Sequence, residues 1–497
     1  MIDRRYLLND EQMCDYITRG YVVLKTDLDA RCHDEIYTRT LEVMDKEGNP
    51  GNNILPRVPQ LRQVFEDPNL RGALTSVLGA DYVMHSHRHC HVNPGKRREG
   101  GLHKDSYWGY HKVRHHRTRW AMIFYYPQDT PREKGPTAVV PGSHTYESRE
   151  SWEASRQTPV PVVGEAGTAA LVHFDLWHQA TANVTDDTRF MMKFQFVRMS
   201  EPGAEPTWRS DCGGLWPGRN GAGGIVHETL WQRVWSWHGG RPLGAASSSD
   251  LASLQAELRS DDVAERAAAA DALGLMGPAA SDALDDLTEA LHDDVEAVRL
   301  NAAYALGGLG ADAVPRLTEA LRVEQEGIPL AAAYGLSVVG AEGIEALTGC
   351  CMAADEPSRG FAAYALGEMG GDVGGGATSA IADLQGDDSE WVRRNAAEAL
   401  GTIAGQSEIA VSALTALLRD EDGQVRFNAA YALARHGAGA TSAVSALRDA
   451  LDDENRYVRN NSVEALQHIG TEEANRVIHD FLSAARWCPI TTKDSTF

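Results

Sequence analysis

The chain has 497 residues, 43% of them hydrophobic and 24% charged, which is an ordinary composition for globular domains and too long for a single core. The net charge of −23 is uneven: residues 1–245 contain 30 basic and 29 acidic side chains, and residues 246–497 contain 17 and 41, an excess of acid that disfavours nucleic-acid binding. The seven cysteines show no CxxC spacing, and we find no apolar run of membrane-spanning or signal-peptide length. We therefore expect a cytoplasmic protein with no membrane partner.

The first elements are predicted to be a helix, a strand and a second helix. Asn9 followed by Gln12 is a capping signature, Gly20 ends that helix, and residues 21–26 form the strand. From residue 81 the hydrophobic period changes to two, which places four histidines on one strand face (His85, His87, His89, His91). A row of side chains cannot converge on one ion, so we expect one or two of them to line a polar pocket.

Short strands separated by Gly and Pro follow, at residues 120–129, 134–144 and 160–197. This pattern predicts an all-β double-stranded β-helix, a jelly-roll or cupin-like barrel with flanking helices, over residues 1–240. A helix over residues 228–237 is expected to pack Trp231 and Trp235 on the barrel.

Residues 241–250 have the composition of a linker, and the chain beyond them repeats itself. Helical repeats with a period near 30 predict an all-α solenoid of about seven repeats over residues 251–485, followed by a tail at 486–497. The period is marked by recurring leucines at Leu273, Leu306, Leu336, Leu366, Leu400, Leu433 and Leu466.

His103 and Asp105 form a His-x-Asp pair, and a distant histidine would complete a 2-His-1-carboxylate iron site that leaves three positions open. His178 is the candidate third ligand, with Arg189 eleven residues on. A rival pair, His173 and Asp175, lies on the strand that delivers His178, so we favour His103, Asp105 and His178.

Three motifs together resemble the phytanoyl-CoA dioxygenase family of non-haem iron, 2-oxoglutarate-dependent oxygenases. They are His103-x-Asp105, residues 134–144 (KGPTAVVPGSH), and the series His178, Asn183, Thr185 and Arg189. The resemblance implies Fe(II), 2-oxoglutarate and O2 as cofactor and cosubstrates, with iron on His103, Asp105 and His178 and the distal carboxylate of 2-oxoglutarate on Arg189. Trp120 and His89 are further residues expected to line the cosubstrate pocket. The solenoid is similar to bilin-lyase-type HEAT repeats and lacks the His-Glu pairs of HEAT-fold hydroxylases, so no second metal centre is expected.

The retained carboxylate of Asp105 favours C–H hydroxylation over halogenation, which needs that position free for halide. The substrate is expected to be a small or medium organic molecule, and a basic loop at Lys96, Arg97 and Arg98 suggests an anionic one. That loop could equally be a solvated surface or dock on the acidic half. Two alternatives remain: HEAT repeats that recruit a protein- or carrier-bound substrate, and a non-catalytic binding protein. For the first, a partner face could be formed by recurring tyrosines, Tyr304, Tyr334, Tyr364 and Tyr431.

Overall fold

The computed structural model describes residues 2–105, 115–147, 158–218, 225–239, 249–371, 373–403 and 407–484. Most of the predicted linker at 241–250, and the whole predicted tail at 486–497, lie outside these ranges. Within these ranges, no helix combines the length and the hydrophobicity needed to cross a bilayer.

Two β-sheets form the N-terminal domain. A five-stranded antiparallel sheet has the order β1-β6-β3-β8-β2, and a three-stranded sheet has the order β5-β4-β7. The sheets face each other, since the ring of His178 on β7 lies 5.3 Å from that of Phe124 on β3. This is the double-stranded β-helix that the sequence predicts. The strands are β1 (Tyr21–Lys25), β2 (Val83–Asn93), β3 (Trp120–Tyr125), β4 (Thr137–Val139), β5 (Val160–Pro161), β6 (Thr168–His173), β7 (His178–Ala180) and β8 (Arg189–Val197).

Helices cover the outer face of the larger sheet. The first begins with the predicted capping box, in which Asn9 and Gln12 satisfy each other's backbone N–H groups, and it ends at Gly20 in the left-handed conformation. Phe65 packs 4.2 Å from Phe194, ring to ring, which joins the helical layer to β8. The helices are α1 (Asp10–Arg19), α2 (Ala30–Glu47), α3 (Ile54–Arg57), α4 (Leu61–Glu66), α5 (Pro68–Leu78) and α6 (Glu228–Gly239), the last carrying the buried Trp231 and Trp235.

The C-terminal half is a solenoid of paired helices, as predicted from its period. Arginines near the start of a repeat's first helix bind the aspartate of the following repeat, for example Arg393 to Asp420 at 2.7 Å and Arg426 to Asp453 at 2.6 Å. The helices are α7 (Leu251–Glu257), α8 (Val263–Met276), α9 (Leu284–Ala290), α10 (Glu296–Leu309), α11 (Val314–Ala320), α12 (Ile328–Val339), α13 (Ile344–Cys350), α14 (Glu356–Met369), α15 (Gly374–Asp383), α16 (Glu390–Thr402), α17 (Glu408–Leu417), α18 (Gly423–His436), α19 (Val444–Ala450), α20 (Arg456–Ile469) and α21 (Glu472–Ala484).

The recurring tyrosines of the solenoid pack against the N-terminal domain. Tyr304 Oη lies 2.7 Å from His116 Nδ1, and the ring of Tyr334 lies 4.5 Å from that of the same histidine. Tyr364 contacts His115 at 5.4 Å between ring centroids, and Tyr431 contacts Trp120 at 5.8 Å. The face that they form is therefore occupied by the protein's own β-domain.

Beside these tyrosines lies a buried ionic cluster that joins the two domains. His115 binds Glu368 at 2.7 Å and Glu398 at 2.9 Å, and Arg119 binds Glu368 and Glu201. Burial alone would lower the pKa of His115, but the two glutamates raise it to about 10. A basic segment thus docks on the acidic half, one of the alternatives considered from the sequence, but through residues 115–119.

Candidate active site

His103 and His178 meet because their chain segments pair. The His103 N–H donates to the His178 carbonyl at 3.0 Å and the His178 N–H donates to the His103 carbonyl at 2.9 Å, an antiparallel bridge beside β7. Asp105, two residues on, points to the same side, and its Oδ2 lies 3.7 Å from His178 Nε2. The ligand atoms of His103, Asp105 and His178 all lie within 4.8 Å of one another, the only such group of metal-ligating residues in the described ranges.

Backbone carbonyls fix the tautomer of both histidines. Nδ1 of His103 lies 2.9 Å from the Gly101 carbonyl, and Nδ1 of His178 lies 2.9 Å from the Leu176 carbonyl. A carbonyl can only accept, so each Nδ1 carries the proton and each Nε2 keeps the lone pair that binds a metal. Burial lowers the pKa of His178 to about 4, which keeps that ring neutral at physiological pH.

Lys193 on β8 is the cation nearest this group. Its Nζ lies 2.6 Å from Asp105 Oδ2, and both side chains are buried. Burial would raise the pKa of Asp105, but Lys193, followed by His178 and His103, lowers it below its ordinary value. Asp105 is therefore a carboxylate, the form that a metal ligand requires.

Arg189 begins β8 and is buried beneath the turn that contains Gly135. Its Nε and Nη2 donate to the Gly135 carbonyl at 3.0 and 2.7 Å, which leaves Nη1 without a partner among the residues that the structure describes. Gly135 has a φ of +68°, and a Cβ there would lie 2.4 Å from Asn93 Nδ2, so only glycine fits this turn. Asn183 shapes the approach to Arg189 by donating to the Asn93 and Asp187 carbonyls.

Two buried polar atoms that have no partner among the described residues flank Arg189. They are Nε2 of His91 and Oδ1 of Asn93, on the strand that pairs with the start of β8. Buried polar atoms normally have hydrogen-bond partners. A guanidinium N–H and these two atoms, at one end of the barrel interior, therefore fit a polar ligand such as a dicarboxylate. With three metal-ligating groups close by, the residues present fit both iron and 2-oxoglutarate.

The other predicted pocket residues divide between the two ends of the barrel. His89 pairs with Lys193 and faces the interior, whereas Trp120 pairs with Val197, at the end of β8 opposite Arg189. Trp120 contacts Phe174 at 5.6 Å between ring centroids and Tyr431 of the solenoid. The structure thus places Trp120 away from the residues that fit the cosubstrate.

The predicted regular row of four histidines on β2 is interrupted. A register shift between Met84 and Arg88 turns His85 towards Trp120 and the solenoid, while His87 and His89 remain stacked at 6.5 Å between ring centroids. Between the Met84 and Arg88 pairs β2 has two more residues than β8, so the side chains after the bulge keep the face that they would have without it.

His173 of the rival pair lies in the core, and the basic loop lies at the surface, where Arg97 is bridged to Asn183. The His173 ring packs 4.8 Å from that of His144 within the core. Lys96 pairs with the exposed Asp186 at 3.3 Å, and Arg97 donates to the Val92 carbonyl. The interior cations are instead Lys193 and Arg189.

Sequence reasoning missed Lys193 and Asn93, and it named His91 only as one of four histidines that could line a polar pocket. Lys193 had a signal, since a lysine in the middle of the apolar run RFMMKFQFV has to be paired when that strand is buried. His91 and Asn93 could be found only once the register placed them opposite Met191 and Arg189.

A double-stranded β-helix with a His-Asp-His group and an interior arginine defines the class of non-haem Fe(II)/2-oxoglutarate oxygenases. The sequence profile of the phytanoyl-CoA dioxygenase family matches residues 17–191, and that of HEAT repeats matches residues 251–337, 344–434 and 411–485. The chain thus joins a phytanoyl-CoA dioxygenase domain to HEAT repeats. It is a dioxygenase that uses iron and 2-oxoglutarate, and the predictions of fold, family and cofactors are confirmed. No curated protein matches the chain.

Several solved structures are similar to this chain. The carbocyclase SnoK from nogalamycin biosynthesis, described as non-haem and α-ketoglutarate-dependent, has 20% identity and a TM-score of 0.33, over 40% of this chain and 88% of its own. EctD from S. alaskensis in its apo form has 20% identity and a TM-score of 0.34, over 40% and 80%. The epimerase SnoN, also from nogalamycin biosynthesis, has 17% identity and a TM-score of 0.33, over 48% and 93%.

Proposed function

We propose that this dioxygenase hydroxylates an unactivated C–H bond of a small or medium organic anion. His103, Asp105 and His178 would hold the iron, and Arg189, with His91 and Asn93 beside it, would bind 2-oxoglutarate. The observation that carries the proposal is the convergence of the three ligand groups within 4.8 Å, with a buried guanidinium on the facing sheet.

The bound iron would supply the oxidative chemistry and the protein its selectivity. The Gly101 and Leu176 carbonyls orient the two imidazoles, and Lys193 keeps Asp105 ionised. Because Asp105 occupies the carboxylate position, the site has no place there for a halide, which favours hydroxylation over halogenation.

Charge balance supports an anionic substrate. His178 and His91 are neutral, since burial lowers the pKa of His178 to about 4 and that of His91 well below its ordinary value. Fe(II), Lys193 and Arg189 then bring one more positive charge than Asp105 and 2-oxoglutarate offset. A buried uncompensated charge is costly, and a substrate anion would neutralise it.

The alternative of a protein-bound substrate recruited by the solenoid tyrosines has less support. Tyr304, Tyr334, Tyr364 and Tyr431 all contact the dioxygenase domain, so they offer no free surface to a partner.

The test is succinate formation from 2-oxoglutarate by the anaerobically reconstituted Fe(II) enzyme on exposure to air. We expect slow substrate-independent turnover, lost by more than about 100-fold in His103→Ala, Asp105→Ala and His178→Ala, since even second-shell changes at metal sites reach that size. His173→Ala is the matched control and should retain turnover. Activity that survives all three ligand substitutions would reject the assignment.

A further inference from the structure

The strand β8 runs through the barrel interior from one end to the other, and its side chains mark positions along it. Arg189 lies at its start, Lys193 in the middle beside Asp105, and Gln195 and Val197 towards its end. A cosubstrate that spans Arg189 and the metal group fills the first half. The substrate must therefore approach from the second half, which the other strands border with His87 and Trp120.

The last HEAT repeats cover this second half. Phe427 on α18 contacts Trp120 at 6.3 Å and His85 at 5.7 Å, ring to ring. Tyr457 on α20 stacks on His85 at 5.4 Å. The substrate end of the barrel is thus bordered by residues that lie more than 200 positions beyond the barrel's last strand in the sequence.

Tyr457 also sets the tautomer of His87. Its Oη accepts from Asn52 Nδ2 at 3.1 Å and from Arg456 Nη2 at 3.3 Å, so its own proton is directed to His87 Nδ1 at 2.9 Å. With Nδ1 as the acceptor, the neutral His87 ring carries its proton on Nε2. Burial lowers the pKa of His87 to about 4, which keeps the ring neutral.

Two cations lie near this histidine row. Lys193 on β8 pairs in register with His89, and Arg456 on α20 donates to the Tyr457 Oη that bonds His87 Nδ1. Lys193 is committed to Asp105, whereas Arg456 is exposed and held over the Tyr457 ring at 5.0 Å. A guanidinium and a neutral imidazole N–H together are donors suited to a carboxylate or phosphate group.

We propose that the last HEAT repeat completes the substrate site of the dioxygenase. Arg456 binds the anionic group of the substrate, and Tyr457 is a positioning residue that orients His87 as a second donor. This inference rests on the proposed function and assigns to the HEAT repeats a part in choosing a small anionic substrate.

The experiment uses the full-length chain, loaded with Fe(II) and 2-oxoglutarate under anaerobic conditions. The visible Fe(II)–2-oxoglutarate charge-transfer absorption first checks the loaded site, and its absence would refute the proposed function whatever Tyr457 does. Benzoate, phenyl phosphate and octanoate are then titrated, with their affinity read by calorimetry and by the change in that absorption. The expected result is that at least one of these anions binds.

Arg456→Gln and Tyr457→Phe should each weaken that anion roughly fivefold, the contribution of a partly exposed ion pair or one hydrogen bond. The 2-oxoglutarate affinity should not change in either. Arg476→Gln, which removes the same charge from the exposed surface of α21, should match the wild type. An intact absorption band with no anion bound, or equal affinities in wild type, Arg456→Gln and Tyr457→Phe, would overturn the inference.

Discussion

Lys193 shows how one buried charge can set the state of a metal site. Without a metal, it is the counter-ion of Asp105 within a strand whose residues are all buried. A divalent ion bound to the same carboxylate has to compete with this ammonium group. Lys193 thus stabilises the metal-free fold and lowers the affinity of the site for the metal.

Lys193→Met should therefore separate these two effects. Leaving Asp105 buried and unpaired is expected to destabilise the metal-free protein by about 3 kcal/mol. Mn(II) should then raise the melting temperature more in the variant than in the wild type, as measured by calorimetry with and without the ion. An equal or smaller rise in Lys193→Met would contradict the role given to the ion pair. Lys96→Met, at an exposed pair, is the control.

Arg189→Lys should weaken cosubstrate binding. A lysine keeps the charge but loses the planar fork, and hydrogen bonds to charged groups contribute enough for a roughly 10-fold rise in the KM for 2-oxoglutarate. The rate at saturating 2-oxoglutarate should fall much less, which substrate-independent succinate formation can measure. Arg97→Lys, in the exposed loop, should leave the KM unchanged, and a KM that is also unchanged in Arg189→Lys would remove Arg189 from the cosubstrate site.

At the scale of elements, local sequence patterns predict most of the helices, strands and repeats, but they do not predict strand register. The capping residues Asn9 and Gln12, the period-two strands and the repeats could be identified because each leaves a local signal. The bulge between Met84 and Arg88 leaves none, so an evenly spaced row of histidines was expected where the structure packs the buried His85 against Trp120 and the solenoid. Trp120 lies on a predicted strand, but its pairing with Val197 could not be predicted, because strand pairing is a long-range property.

The repeats are joined by buried asparagines whose loss can be measured. Asn428 Nδ2 donates to the Arg394 carbonyl in the preceding repeat at 3.1 Å, whereas Asn395 donates to the Trp391 carbonyl of its own helix. Asn428→Ala should cost about 1 kcal/mol of unfolding free energy by removing one buried hydrogen bond between repeats. Asn395→Ala, as the matched control in denaturant unfolding, should cost less. An equal cost in the two variants would mean that the inter-repeat bond adds nothing.

The contact of His115, which precedes β3, with Glu368 on α14 and Glu398 on α16 should make stability depend on alkaline pH. Folding raises the pKa of His115 from about 6.5 to about 10, so its contribution is complete below about pH 6.5 and disappears as the pH rises through about 10. The melting temperature should fall between about pH 7 and 10, and His115→Asn should lack this part of the decline. Parallel curves for the two proteins would show that His115 is not charged at the interface.

On the scale of the whole molecule, the two domains form one unit joined by aromatic and ionic contacts. Ending the chain at residue 239 would expose the side chains now covered by the solenoid, His85, His116 and Trp120 among them. We expect the truncated protein to aggregate or to melt at least 5 °C lower, about the shift for a loss of 1–2 kcal/mol. Undiminished stability and succinate formation by the fragment would instead show a self-sufficient barrel.

The bond between Asn52 and Tyr457 spans 405 positions, which has a consequence for biosynthesis. Ribosomes add about 5–20 residues per second, so the histidine strand waits roughly 20–80 s for its final neighbour to be translated. During that interval the aromatic and imidazole side chains of the nascent barrel are exposed. Chaperones or the earlier repeats are then the available binding partners. The histidine strand therefore reaches its final packing only after the last repeat has been translated.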